Sequence, residues 1–196
     1  MIVFQVPAGM PEHNRVANKI GNYLEQRIGR ELVVLYDTFR YISPEMMERL
    51  GHFKGDDPHE YMQKRLLDFG ASGSFIAETM AHFLKQGLMP SPYAPDVFVV
   101  READFDNRFC VPLWIAEIIS KETRDYDLYF KAYLYERLGV KEYFVFETDR
   151  RSGKLIRVHR LEPEGGAFAQ YQMISLESPS IRSETLGVDV AVDWKV

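Results

Sequence analysis

PLWIAEIISKETRDYDLYFKAYLYERLGVKEYFVFET, residues 112–148, is the stretch whose reading decides the fold. It opens with a near-continuous apolar run, PLWIAEIIS (112–120), the pattern of a central strand covered on both faces. Residues 121–138 follow as a helix that Gly139 ends, and KEYFVFET (141–148) is a strand of β-branched and aromatic residues. Working outward, PDVFVV (95–100) is a strand joined to the run by the polar loop READFDNRF (101–109). LIRVHRLE (155–162) pairs with 141–148 as a hairpin across DRRSGK, and FAQYQMISL (168–176) and VDVAVDW (188–194) are late strands. This order predicts an α/β (α+β) domain, a mixed sheet flanked by helices.

The N-terminal part is less regular. Val16, Ile20, Tyr23, Leu24 and Ile28 recur at helical spacing between Pro11 and Arg30, with Pro11 suited to a first turn and Gly29 to a stop. ELVVLYDTFRYI (31–42) reads as a strand. PEMMERL, HEYMQKRLLDF and SFIAETMAHFLKQ then read as short helices, the last with Phe75, Ile76, Met80, Phe83 and Leu84 in one stripe behind a cap at Ser74. Residues 43–94 are therefore expected to form a helical insertion or lid on a single domain of 1–196, with 95–193 as its core.

With 196 residues, 46% of them apolar and 27% charged, the chain is expected to bury a core without disulfides or a structural metal. Its one cysteine, Cys110, excludes an internal disulfide and a Cys-based zinc site, and a buried thiol beside Phe109 accounts for it. The start, MIVFQVPAGMPEH, lacks the basic and long apolar regions of a signal peptide, and no apolar run is long enough for a membrane helix. A cytoplasmic protein is the expectation. A net charge of −5 argues against non-specific coating of nucleic acid but leaves room for a local basic groove.

Three places break the apolar pattern. Glu117 sits in the middle of the buried run, where a carboxylate must be paired, protonated or bound to a cation. An arginine across the sheet is one reading and a cation the other. Asp96 opens the preceding strand after Pro95; a turn residue explains it alone, but beside Glu117 it makes a two-carboxylate site for a hard ion such as Mg²⁺. At roughly 100° per residue, Asp127, Lys131, Leu134 and Leu138 share one sector of the helix, with Tyr129, Ala132 and Glu136 opposite. An Asp–Lys pair at i,i+4 is also a common surface arrangement, which accounts for the spacing but not for the sheet-facing side. Two carboxylates and a lysine suit metal-assisted hydrolysis of a phosphodiester. Other motifs fail: His59-Glu60 has Gln63 where a zincin has histidine, and Gly70-Ala71-Ser72-Gly73-Ser74 lacks the last glycine of a nucleophile elbow.

Pro95-Asp96, the strand around Glu117, the D-x-x-x-K-x-x-x-Y run of Asp127, Lys131 and Tyr135, Gly139-Val140-x-Glu142-Tyr143 and the closing SETLGVDV resemble the Uma2 family of restriction-endonuclease-like proteins, within the PD-(D/E)xK nuclease superfamily. Ser120 and Thr123 also fall in register, and the resemblance covers roughly residues 95–193. It implies a restriction-endonuclease-like fold and an endonuclease that cuts DNA with Mg²⁺ or Mn²⁺. By resemblance Asp96 and Glu117 are the metal ligands, with a backbone carbonyl near Ile118 as a third. The superfamily's lysine position after the glutamate is Ile119 here, and Lys131 on the following helix matches the family's alternative. Lys131 would orient the attacking water and Asp127 would fix Lys131, while Lys121 is a rival lysine and Ser120 and Tyr135 are further site residues. Glu12, Glu25 and Glu31 are the candidates for the superfamily's early glutamate. A homodimer is expected from the superfamily, so that both strands are cut. Two rivals stay open: a catalytically silent nucleic-acid-binding or regulatory module on the same scaffold, and a metal-dependent hydrolase of a small phosphorylated molecule. A closed pocket roofed by residues 43–94 would favour the latter.

Overall fold

A computed structural model describes residues 11–46, 58–86, 93–119, 123–147, 155–162, 166–175 and 180–191. The elements are α1 (Pro11–Glu25), β1 (Leu32–Tyr36), α2 (Pro58–Asp68), α3 (Gly73–Gln86), β2 (Val97–Arg101), β3 (Trp114–Ile119), a π-helical segment (Tyr126–Lys131) continuing into α4 (Ala132–Leu138), β4 (Glu142–Glu147), β5 (Leu155–Leu161), β6 (Phe168–Ser175), β7 (Ser180–Ser183) and β8 (Val188–Ala191). Strands β1 to β6 lie in sequence order in one sheet, and β7 and β8 form a separate two-stranded sheet. The β3–β4 pair is parallel and the other neighbours are antiparallel. The sheet is mixed because the helix between β3 and β4 carries the chain back to the end where β3 began. The fold is α+β, of the restriction-endonuclease-like kind.

The two central strands are buried at every position, as their apolar runs require. Alternation then divides the core in two. Val97, Val99, Trp114, Ala116, Phe144 and Phe146 face α1, which lays Val16, Ala17, Ile20 and Leu24 on them. Phe98, Ile115, Ile119, Tyr143 and Val145 face the other way, toward Leu128, Tyr133 and Leu134 and toward Met62, Leu66 and Ile76 of α2 and α3. The helices of residues 58–86 thus share a hydrophobic cluster with the sheet face that carries Glu117. α1 crosses β1 so closely that a Cβ at Gly21 would overlap the Tyr36 ring. Gly139 closes α4 with φ 85°, the left-handed cap that glycine adopts freely.

Several boundaries differ from expectation. α1 ends at Glu25 rather than Arg30, and Ile28 still folds its amide back onto the Leu24 carbonyl. The strand expected over 31–42 stops at Tyr36, because Asp37 turns the chain with φ 41°. The chain returns to a bridge between Arg40 and Tyr93, and the Arg40 side chain is buried over the Phe98 ring. Ser72, not Ser74, caps α3: its Oγ accepts the Phe75 amide at 3.3 Å. Cys110 is half-buried, its thiol reaching the Asp104 carbonyl. β7 was not expected as a strand: SIRS is only four residues long, too short for the alternation of buried Ile181 and Ser183 to stand out. Among the described residues, no helix is long and apolar enough to cross a membrane.

Candidate functional site

Asp96 precedes β2 by one residue and Glu117 lies in β3. The β2–β3 register, with Val97 opposite Ala116, puts Asp96 across from Glu117 and on the same face. That face is covered by the π-helical segment and α4. In α geometry a step of four residues overshoots a full turn by about 40°, whereas the wider π turn falls short of one. Asp127 to Lys131 runs through the π segment and Lys131 to Tyr135 through α4, so the two deviations oppose each other. Asp127, Lys131 and Tyr135 therefore line up over β3.

The contacts follow from this alignment. Lys131 Nζ lies 2.9 Å from Glu117 Oε2 and 2.8 Å from Asp127 Oδ1. Tyr135 donates its hydroxyl to Glu117 Oε1 at 2.6 Å. Asp96 Oδ2 accepts the Ile118 amide at 2.7 Å and lies 3.0 Å from His13 Nε2, at the first turn of α1. Asp37 donates its amide to the Asp96 carbonyl at 3.3 Å. Among the described residues it is also the one non-glycine with positive φ, a backbone cost concentrated beside the candidate site.

Charge is unevenly matched here. Glu117 is buried, and desolvation pushes its carboxyl well above the usual range; Lys131 opposes the rise, while Asp96 and Asp127 add to it. Burial would lower the Lys131 amine, but Glu117, Asp127 and Asp96 together hold it well above the usual lysine range. Burial also works to raise Asp96, yet the hydrogen bond from His13, the charge of Lys131 and the Ile118 amide bring it below the ordinary aspartate value. His13 is raised chiefly by its hydrogen bond to Asp96. Burial lifts the Tyr126 phenol to about 12. Glu117 and Asp127 thus share one ammonium, with Asp96 and its His13 partner across the ladder, and burial is the main reason that Glu117 holds a proton more tightly than usual.

The structure brings together Asp96, Glu117, Asp127, Lys131 and Tyr135. Ser120 and Lys121 lie outside the described residues. Glu25 accepts a hydrogen bond from Tyr36 at 3.0 Å, and the Glu31 carboxylate covers Gly29. His13 and Asp37 were not singled out from the sequence. His13 sits on a helix that packs against the opposite sheet face, and periodicity does not reveal that its first turn reaches the strand tips. Ala132 and Glu136 were expected to point away from the sheet; both are buried, because α2 covers that side of α4. Arg65 of α2 forks onto Glu136, with Nη2 at 2.6 Å from Oε2 and Nε at 3.0 Å from Oε1.

The donor set fits a hard divalent cation. Asp96 and Glu117 would offer oxygen ligands, and Mg²⁺ needs only one or two carboxylates while keeping several waters. Among the described residues no three His, Cys, Asp or Glu side chains converge as a ready-made cage, so a main-chain carbonyl and water would complete the set. Both Glu117 oxygens already accept a donor, but a carboxylate offers about four lone-pair sites.

The fold is that of the restriction-endonuclease-like class. Residues 80–193 match the model of the Uma2 family, described as "Putative restriction endonuclease". The match spans more than half of the chain, and the chain belongs to this family. A comparison with curated proteins returns no match.

Proposed function

We propose that the protein is an endonuclease that hydrolyses DNA phosphodiester bonds with Mg²⁺ or Mn²⁺ held by Asp96 and Glu117. The observation that supports this reading is the Lys131 amine, 2.9 Å from Glu117 and 2.8 Å from Asp127 on the sheet face that Asp96 shares. When bound, such a cation polarises a phosphoryl oxygen and lowers the pKa of its water. Lys131 is held protonated, so its part is to donate N–H bonds and orient a water or phosphate, not to accept a proton. Asp127 pins Lys131, and Tyr135 fixes the Glu117 rotamer from the other oxygen. His13 and the Ile118 amide hold Asp96 Oδ2. Cutting both strands of a duplex calls for two sites, so a homodimer is part of the proposal, checked by sedimentation equilibrium.

One observation favours a second reading, a silent nucleic-acid-binding module: Lys131 and Tyr135 already engage both Glu117 oxygens. The test is cleavage of plasmid and of short single- and double-stranded DNA with Mg²⁺, Mn²⁺ or chelator. Wild type, Asp96→Asn, Glu117→Gln and Lys131→Met are compared, each checked for folding by thermal melting. The nuclease reading expects metal-dependent cleavage by wild type and its loss in all three folded variants. Cleavage surviving all three means that the site lies elsewhere; DNA binding without cleavage selects the silent module.

A further inference from the structure

Two arginines converge on one buried carboxylate at the end of β4. Glu147 accepts Arg124 Nη2 on Oε2 at 2.8 Å and Arg157 Nε on Oε1 at 3.0 Å. One guanidinium neutralises a carboxylate, so the second leaves the trio with a surplus positive charge. Arg124 comes from the helical residues just before the π-helical segment, and Arg157 from β5. Among the described residues, Arg124 engages through Nη2 alone and Arg157 through Nε alone, leaving further N–H donors on each fork. Their side chains are 38% and 18% exposed, enough for a ligand to reach those donors.

The register fixes where this cationic rim lies. In the parallel β3–β4 ladder Glu117 stands opposite Val145 and Ile119 opposite Glu147. Glu147 therefore shares the Glu117 face, one strand over and two residues further on. With strands about 4.8 Å apart and a rise of about 3.3 Å per residue, the two backbones are about 8 Å apart. Arg157, opposite Val145 on β5, also points to this face, since Ile156 and Val158 pack on the α1 side.

We infer that Arg124 and Arg157 form an anion fork that grips a backbone phosphate of the DNA strand next to the one at Glu117. Guanidinium forks match phosphate oxygens in pairs, and Glu147 holds both arginines in place while cancelling part of their charge. The inference rests on the endonuclease reading for the identity of the ligand. A purely structural tie between β4, β5 and the helix start would affect stability alone.

The experiment is fluorescence anisotropy of a labelled short duplex with the full chain in EDTA, over a range of NaCl concentrations. Removing one phosphate contact lowers the slope of log K against log salt by about 1. Arg124→Ala, which leaves Arg157 on Glu147, is expected to show that loss and several-fold weaker binding at low salt, with a cooperative melt that shows the fold intact. Glu147→Gln frees both guanidiniums from the negative charge and is expected to bind several-fold tighter. Affinities and slopes equal to wild type in both variants overturn the fork, even where wild type cleaves DNA with Mg²⁺. Arg124-dependent binding by a wild type that never cleaves supports the fork and ends the nuclease reading. Wild type that binds no duplex at any salt ends both.

Discussion

Replacing Lys131 with methionine keeps the length and apolar stem of the side chain and removes the charge that Glu117 and Asp127 share. The three side chains are 19%, 1% and 5% exposed, so water cannot replace the lost partner. Removing one member of a buried ion pair costs about 3–5 kcal/mol. Glu117 moderates that cost by taking up a proton, since desolvation already holds its carboxyl above the usual range. A carboxyl whose folded value lies above its unfolded value binds more protons in the native state, so its contribution falls as pH rises. Without the opposing lysine the gap widens, and the deficit of Lys131→Met is expected to grow from pH 5 to pH 8, reaching about 3 kcal/mol. For a chain of this size that is a fall in Tm of about 6–12 °C. Urea unfolding followed by tryptophan fluorescence reads it, because Trp114 is fully buried. Glu117→Gln in the Lys131→Met background removes the stranded charge, so the double variant should be more stable than the sum of the singles by about 1 kcal/mol or more. A single variant within about 0.5 kcal/mol of wild type at pH 8, or strictly additive effects, would refute the coupled cluster.

Two further outcomes follow from the packing. His159 is buried among Phe69, Tyr143 and Phe168, and burial, with Arg157 and Arg65 nearby, pushes it down to about 4. The unfolded chain takes up that proton near pH 6.5 and the native state does not, so stability should fall by about 3 kcal/mol between pH 6.5 and 4. His159→Phe should flatten this part of the acid limb in urea titrations, and an unchanged limb would count against a buried neutral imidazole. Gly21→Ala gains helix propensity of about 1 kcal/mol but forces a Cβ into the Tyr36 ring, and a net loss of about 1–2 kcal/mol is expected. Adding Tyr36→Leu should restore the loss; a Gly21→Ala variant more stable than wild type would mean that α1 sits further from β1.

The sheet was legible where one signal acts alone. β3 and β4 read correctly because strands covered on both faces must be apolar throughout, and the glycine cap at Gly139 marked the helix end. Glu117, Asp127 and Lys131 were legible as charges on faces that should be apolar, and Asp96 only as a strand-entry acid beside Glu117. What escaped depended on partners distant in sequence. Glu136 looked solvent-facing because nothing in residues 121–138 announces that α2 will bring Arg65 onto it. The buried Glu142 is closed by Arg160, Ser183 and the Glu184 amide, the last two from the β7 turn. The π geometry was hidden for a related reason. It is the tertiary demand for Asp127, Lys131 and Tyr135 to align over one strand that favours it, not a local propensity.

The partners of the buried acids set Glu117 apart from the other three. Glu136 has a forked arginine, the Tyr61 hydroxyl and the Phe168 amide. Glu142 has Arg160, the Ser183 hydroxyl and the Glu184 amide, and Glu147 has two arginines. Arg65 also pairs with Asp68 and Arg160 with Glu184, but those second acids are 45% and 60% exposed, and Glu147 keeps two arginines to itself. Glu117 instead shares its one ammonium with Asp127, itself only 5% exposed, while Asp96 stands across the ladder against His13, and its other oxygen gets only a phenol. A fold that supplies arginines to three buried glutamates has no chemical difficulty in supplying one to a fourth. Two buried acids left on a single lysine, with Asp96 across the ladder and a strained Asp37 beside it, go beyond what a structural ion pair requires, and the proposed cation site rests on that excess.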